Sequence, residues 1–123
     1  MKIKISDSVK AMAALNELYA KPIEDTKTVL SLYALRRNLM PLVEFHRERE
    51  KQLIEMNHGT LTGDQVHFEK QEDFQKYMLG RDELANTEME FKWAALKIKI
   101  ADVAPLSMKI LDGLSGLIDF VEG

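Results

Sequence analysis

The spacing of apolar positions changes several times along the chain, and each change predicts a new element. Lys2-Ile3-Lys4-Ile5 alternates lysine with isoleucine, the period-two pattern of a half-buried strand. Ser6 and Asp7 are good N-cap residue types, and Val9, Met12, Leu15 and Tyr19 then recur every three or four positions, predicting a helix with one apolar face. Pro22 ends it, because the residue before a proline is pushed out of the helical region. Asp25 or Thr26 can cap a second helix, in which Leu32, Leu35, Leu39, Leu42, His46, Arg49, Leu53 and Met56 keep a strict three–four alternation. Val29, Tyr33, Met40 and Val43 widen the apolar face of its first half, which should lie in the core. Residues 46 to 52 are polar all round, so the second half is expected to project into solvent. Pro41 removes the hydrogen bond to the Arg37 carbonyl and should kink the helix. From Thr26 to Asn57 such a helix is roughly 48 Å long at about 1.5 Å per residue, long for a domain of this size.

His58-Gly59 reads as the stop, with Gly59 taking the left-handed conformation. Residues 60 to 71 form a loop or short hairpin turning at Gly63-Asp64. A third helix begins near Glu72-Asp73, carries the stripe Phe74, Tyr77, Met78 and Leu84, and ends at Asn86-Thr87. Met89, Phe91 and Trp93 alternate with charged residues, as do Leu96, Ile98 and Ile100 with a flipped phase. That flip predicts a long strand with a bulge at Ala94-Ala95, and a helix continued to Ala95 is the rival reading. Pro105 to Val121 reads as an apolar helix weakened by Gly113 and Gly116, with Pro105 in its first turn. Lys2-Ile3-Lys4-Ile5-Ser6-Asp7 returns as Lys97-Ile98-Lys99-Ile100-Ala101-Asp102, which suggests two strand–helix units whose strands pair. Seven methionines are generous for the length, and Met12, Met40, Met78 and Met108 are expected to fill the core because each lies in an apolar stripe.

The fold class that follows is α+β and predominantly α. A long kinked helix packs in a helical hairpin, beside a small two- or three-stranded sheet formed by the N-terminal strand and the segment near 89–100. At 123 residues the chain fits a single domain, 1–123, and its hydrophobic fraction of 46% is that of an ordinary globular protein. The absence of cysteine excludes disulfides, thiolate zinc sites and cysteine nucleophiles. No segment reads as a signal peptide or as a membrane span, which places the chain in the cytoplasm of the cell that makes it. Net charge is −3 with both signs interspersed, so neither a nucleic-acid partner nor a membrane is expected.

Catalytic chemistry is sparse. The six glycines match neither a Walker nor a Rossmann spacing, and no zinc-helix, EF-hand or nucleophile-elbow motif occurs. His46 and Glu50 stand one helical turn apart, the spacing of two metal ligands, but their highly charged setting and the lack of a third ligand favour a solvated face. His46, His58 and His67 fit no compact metal motif. Asp82 followed by Glu90-Phe91-Lys92 loosely matches an Asp…Glu-x-Lys nuclease signature, in which carboxylates bind magnesium and a lysine assists attack. No catalytic residue, cofactor or metal ligand is assigned. The stronger candidate is an interaction surface on the second half of the long helix, His46, Arg47, Arg49, Glu50, Leu53 and Met56, which the loop 59–71 and the start of the third helix would extend into one protruding end.

In the order of its elements the chain resembles a family of small uncharacterised proteins encoded by phages and prophages of Gram-positive bacteria. The features that carry the likeness are Met1-Lys2-Ile3-Lys4-Ile5, Leu15-Asn16-Glu17-Leu18, the Leu-rich and then charged long helix, Glu88-Met89-Glu90-Phe91-Lys92-Trp93, the run from Lys97 to Pro105, and the close Leu117-Ile118-Asp119-Phe120-Val121-Glu122. The resemblance implies a phage context and brings no catalytic residues. The expected function is therefore that of a non-enzymatic phage or prophage protein. It would bind another protein, a phage structural or host protein, in virion assembly or in inhibition of a host defence system, with a homodimer as a further possibility. The alternative is a small metal-dependent nuclease using Asp82, Glu90 and Lys92.

Overall fold

The computed structural model describes residues 1–122. Its elements run β1 (Lys2–Lys4), α1 (Ile5–Tyr19), α2 (Thr26–Met56), β2 (Thr60–Thr62), β3 (Gln65–His67), α3 (Gln71–Asn86), β4 (Glu88–Glu90), β5 (Leu96–Lys99), α4 (Ile100–Val103), α5 (Met108–Gly113) and β6 (Ile118–Val121). The architecture is α+β and mainly α, with α1 at its centre, packed against α2, α3 and α5.

Residue size explains the central place of α1. Ala11, Ala14, Leu15 and Leu18 are all fully buried, so this helix has apolar contacts on more than one side. Its alanines let neighbouring backbones come close. A Cβ placed on Gly113 of α5 would lie 2.6 Å from the Ala14 Cβ and 3.1 Å from the Lys10 carbonyl oxygen. Ser8 is the one fully buried polar side chain of α1, and its hydroxyl donates to the Ile5 carbonyl at 2.6 Å. The sequence points to Ser6 or Asp7 as the cap of this helix, but it starts earlier, at Ile5, with Lys4 as N-cap and no side-chain capping bond. The Ile5 amide is instead satisfied by the Thr87 carbonyl at 3.0 Å, so strand pairing replaces the cap.

In α2, Leu32, Leu35 and Leu39 are fully buried against α1, each contributing about 1.5–3 kcal/mol of burial. Asp25 caps the helix, accepting from the Thr28 amide at 3.0 Å and the Thr28 hydroxyl at 2.6 Å. Those two bonds favour the ionised carboxyl, the hydroxyl's most, and hold it below the ordinary aspartate range. The helix continues through Pro41, whose ring is on the exposed side, where the unpaired Arg37 carbonyl can be met by water.

Among the described residues, three two-stranded sheets accompany the helices. β1 runs antiparallel to β4 with Ile3 opposite Met89, so the N-terminal strand does pair with part of the segment near 89–100. The rest of that segment goes elsewhere: β5 pairs in parallel with β6, Ile98 opposite Phe120. The two lysine–isoleucine strands therefore do not pair with each other. Each still puts its isoleucine inward and its lysines outward, with Ile3 and Ile98 buried. What reads as one bulged strand is two strands divided by residues 91–95, where Phe91 is buried and stacks on Trp93 with ring centroids 6.2 Å apart. The Trp93 indole N–H donates to the Leu117 carbonyl at 3.0 Å, tying this link to the C-terminal segment.

That C-terminal segment departs most from the sequence reading. In place of one helix over 105–121 there is α5, capped by Ser107 with its hydroxyl accepting from the Ile110 amide, then a turn with Gly116 at φ 81°, then β6. Pro105 lies before the helix, not in its first turn. Met108 is also outside the core at 70% exposure, whereas Met12 is buried and Met40 and Met78 are half-buried.

Candidate interaction face on the second helix

The second half of α2 does not stand free in solvent. Leu53 and Ile54 are buried, and α3 packs over this part of the helix. The contact is close because Gly80 faces Leu53: a Cβ on Gly80 would come within 2.7 Å of the Leu53 Cδ2. Leu53 is thus a core residue and leaves the interaction surface to which its place in the sequence row assigned it. His46, Arg49 and Glu50 are half-buried, because long polar side chains can lay their apolar stems along a covering helix while their charged ends reach water.

The other candidate residues divide between two sides of the helix. His46 and Glu50 are joined, Nε2 to Oε2, at 3.4 Å, and with Arg47 they line one groove. Arg49 faces away from it, its Nη1 donating to the Gln52 side-chain oxygen at 3.0 Å and lying 3.9 Å from the Met56 sulfur. Met56 is 62% exposed. Behind Glu50 lies Tyr77 of α3, whose phenol is pushed above its ordinary pKa by burial first and by the Glu50 charge second, with Arg81 opposing.

The groove has a volume of about 760 Å³. Its apolar wall consists of Val9 from α1, Val43 and Ile54 from α2, and Leu61 from β2, while Arg47, Glu48, Lys51 and Glu55 form a rim of mixed charge. Leu61 is 58% exposed, an apolar side chain presented by a strand with no other inward duty. The hairpin that presents it turns at Gly63, φ 62°, with Thr62 opposite Gln65, the two-residue loop expected at Gly63-Asp64.

Two backbone positions fix where this hairpin leaves α2. His58, not Gly59, takes the left-handed conformation, with φ 59°. The His58 amide donates to the Glu55 carbonyl at 3.2 Å and the Gly59 amide to the Ile54 carbonyl at 2.8 Å, which is the pairing of a Schellman cap with His58 at the left-handed position. Gly59 is required for another reason. A Cβ there would meet Phe68 at 2.7 and 2.9 Å and the Ile54 Cγ2 at 2.9 Å. Phe68 also packs edge-on to Phe74 at 5.8 Å and against Tyr77 at 5.0 Å, so one aromatic cluster anchors the hairpin to the start of α3.

Sequence reasoning found His46, Arg47 and Glu50 and set the loop from Gly59, with Thr60 and Leu61, beside them, but missed Val9 of α1 and the part of Ile54. The one available signal was the row Val43, Arg47, Glu50, Ile54, running beside the leucine row at helical spacing. The remaining candidates are scattered. Asp82 is exposed on α3, Glu90 lies beside the Met1 amino group at 3.8 Å, and Lys92 is exposed in the 91–95 link. His58 and His67 are exposed at the end of α2 and on β3. Among the described residues, no three or more histidine, aspartate or glutamate side chains gather where they could hold a metal ion. No helix among them is long and apolar enough to cross a membrane. Compared with protein-family models, curated proteins and solved structures, the chain matches none.

Proposed function

We propose that this chain is a non-enzymatic phage or prophage protein that works in the cytoplasm of a bacterial host cell by binding another protein, in virion assembly or in the inhibition of a host defence system. The groove between α2 and the β2–β3 hairpin supports this reading best. An apolar trough of about 760 Å³ with charges of both signs on its rim has the composition of a protein-docking site, an apolar centre within a polar border. Val43, Ile54 and Leu61 supply the apolar area, and Arg47, Glu48, Lys51 and Glu55 can set the register of a partner segment. The phage context rests on the whole-chain resemblance described above.

The test is recovery of partners by the tagged chain from bacterial and phage lysates, with Leu61→Asp and Arg47→Glu as controls. Both residues are exposed, so neither change disturbs the core, and circular dichroism verifies the fold. A phage structural protein or host-defence protein captured by the native chain and lost with either variant is the expected result. Equal capture by native chain and variants, or recovery of the chain alone, refutes the groove as the binding face.

A further inference from the structure

A second face of α2 is exposed from Lys27 to Glu48. Lys27, Leu30, Ala34, Arg37, Pro41, Glu44 and Glu48 follow one another at spacings of three and four, and all are exposed. Leu30 within this line, and Tyr33 and Phe45 beside it, are large apolar side chains 61%, 48% and 41% exposed. The face lies roughly 120° round the helix from the centre of the groove, at about 100° per residue, and the two meet only at Glu48, which stands on the groove's rim.

Its charges are ordered. The first half carries Lys27 and Arg37, and the second half carries Glu44 and Glu48. A positive half followed by a negative half, with apolar side chains between and beside them, is complementary to itself when turned end for end. We propose that this face binds a second copy of the chain, α2 packing antiparallel on α2 about a two-fold axis near Pro41. In that arrangement Arg37 of each copy stands opposite Glu44 of the other, and Glu48 comes opposite the Tyr33–Ala34 turn. The self-complementary patch required of an isologous dimer is thereby met by one helix. Parallel packing would set like charges together, so the sequence of charges selects the antiparallel orientation. The Pro41 ring at the axis and the small Ala34 about two turns from it permit close approach. The leucine row, Leu32 to Leu42, takes no part, since it is already buried within the chain.

Arg37 and Glu44, the residues that carry the inference, do not line the groove. It is tested by sedimentation equilibrium on the intact chain over a wide concentration range, with Arg37→Glu and Glu44→Arg made singly and together. The native chain dimerises. Either single change places two like-charge pairs at the contact and weakens the dimer about tenfold or more. The double change restores it, as does mixing the two single variants, which then form a heterodimer with both pairs of opposite sign. Both positions are exposed, and unchanged circular dichroism establishes that the single variants fold. A native chain that stays monomeric, or a dimer indifferent to either reversal, overturns the proposal.

Discussion

Replacing His58 by glycine should stabilise the protein, and replacing Gly59 by alanine should destabilise it. His58 is exposed, with φ 59°, and no hydrogen bond of its side chain compensates. Holding an L-residue in the left-handed region costs roughly 1–2 kcal/mol, and glycine removes that cost. Against this, glycine loses about 0.5–1 kcal/mol more backbone freedom on folding than other residues. The net expectation for His58→Gly is therefore a gain of about 0.5–1 kcal/mol. At Gly59 the new Cβ meets Phe68 and Ile54 at 2.7–2.9 Å. Overpacking of this kind costs about 1–3 kcal/mol, reduced by roughly 0.4–1 kcal/mol from the stiffer unfolded chain, so Gly59→Ala should lose about 1–2 kcal/mol. Urea titration followed by circular dichroism reads both changes as shifts of midpoint at constant slope. In thermal melts a chain of this length should move by about 4 °C per kcal/mol. If Gly59 were the left-handed residue, His58→Gly would bring no gain and Gly59→Ala would suffer from its backbone instead. A neutral or destabilising His58→Gly therefore refutes the cap described above.

Gly113→Ala should destabilise by about 1–3 kcal/mol, because the new methyl group meets the Ala14 Cβ and a Lys10 backbone carbonyl that cannot rotate away. An unchanged melting temperature would show that α1 and α5 can separate freely. Asp25 has a lowered pKa in the folded chain, so its capping stabilises above the unfolded carboxyl pKa and fades as pH falls through the folded value. Asp25→Ala should then lower the melting temperature at neutral pH, with the difference from native shrinking on acidification. A difference independent of pH would mean that the charge contributes nothing to the cap.

The two long helices and the hairpin turn were legible because their signals are local. Thirty-one residues of three–four spacing can hardly be read as anything other than α2, and a Gly-Asp pair between short polar strands marks its own turn. The C-terminal region misled because Leu114, Leu117 and Ile118 are apolar on all sides, and periodicity does not separate a buried strand from a buried helix. The second half of α2 was read as free because only Leu53, Ile54 and Met56 are apolar there. Its cover is supplied by Gly80 and Tyr77, whose fit no pattern within α2 can announce. The groove was invisible for the same reason, since Val9 meets Val43, Ile54 and Leu61 only after α1 and β2 have docked on α2. Local spacing specifies an element, whereas a site shared by three elements depends on their packing.

The pairing of Lys2–Lys4 with Glu88–Glu90 also sets an order of assembly during synthesis. The α1–α2 hairpin can close as soon as residue 56 has been made, whereas β1 must wait for a partner some 84 residues further on. At about 5–20 residues per second, that wait is roughly 4–17 s on the ribosome. For those seconds Ile3 lies on an open strand edge, the kind of backbone that recruits a neighbouring nascent chain. Lys2 and Lys4, which point to water once β4 arrives, flank that edge from the start and repel a second copy of it. The alternation that marks a half-buried strand in the finished fold thus also protects the strand before its partner exists.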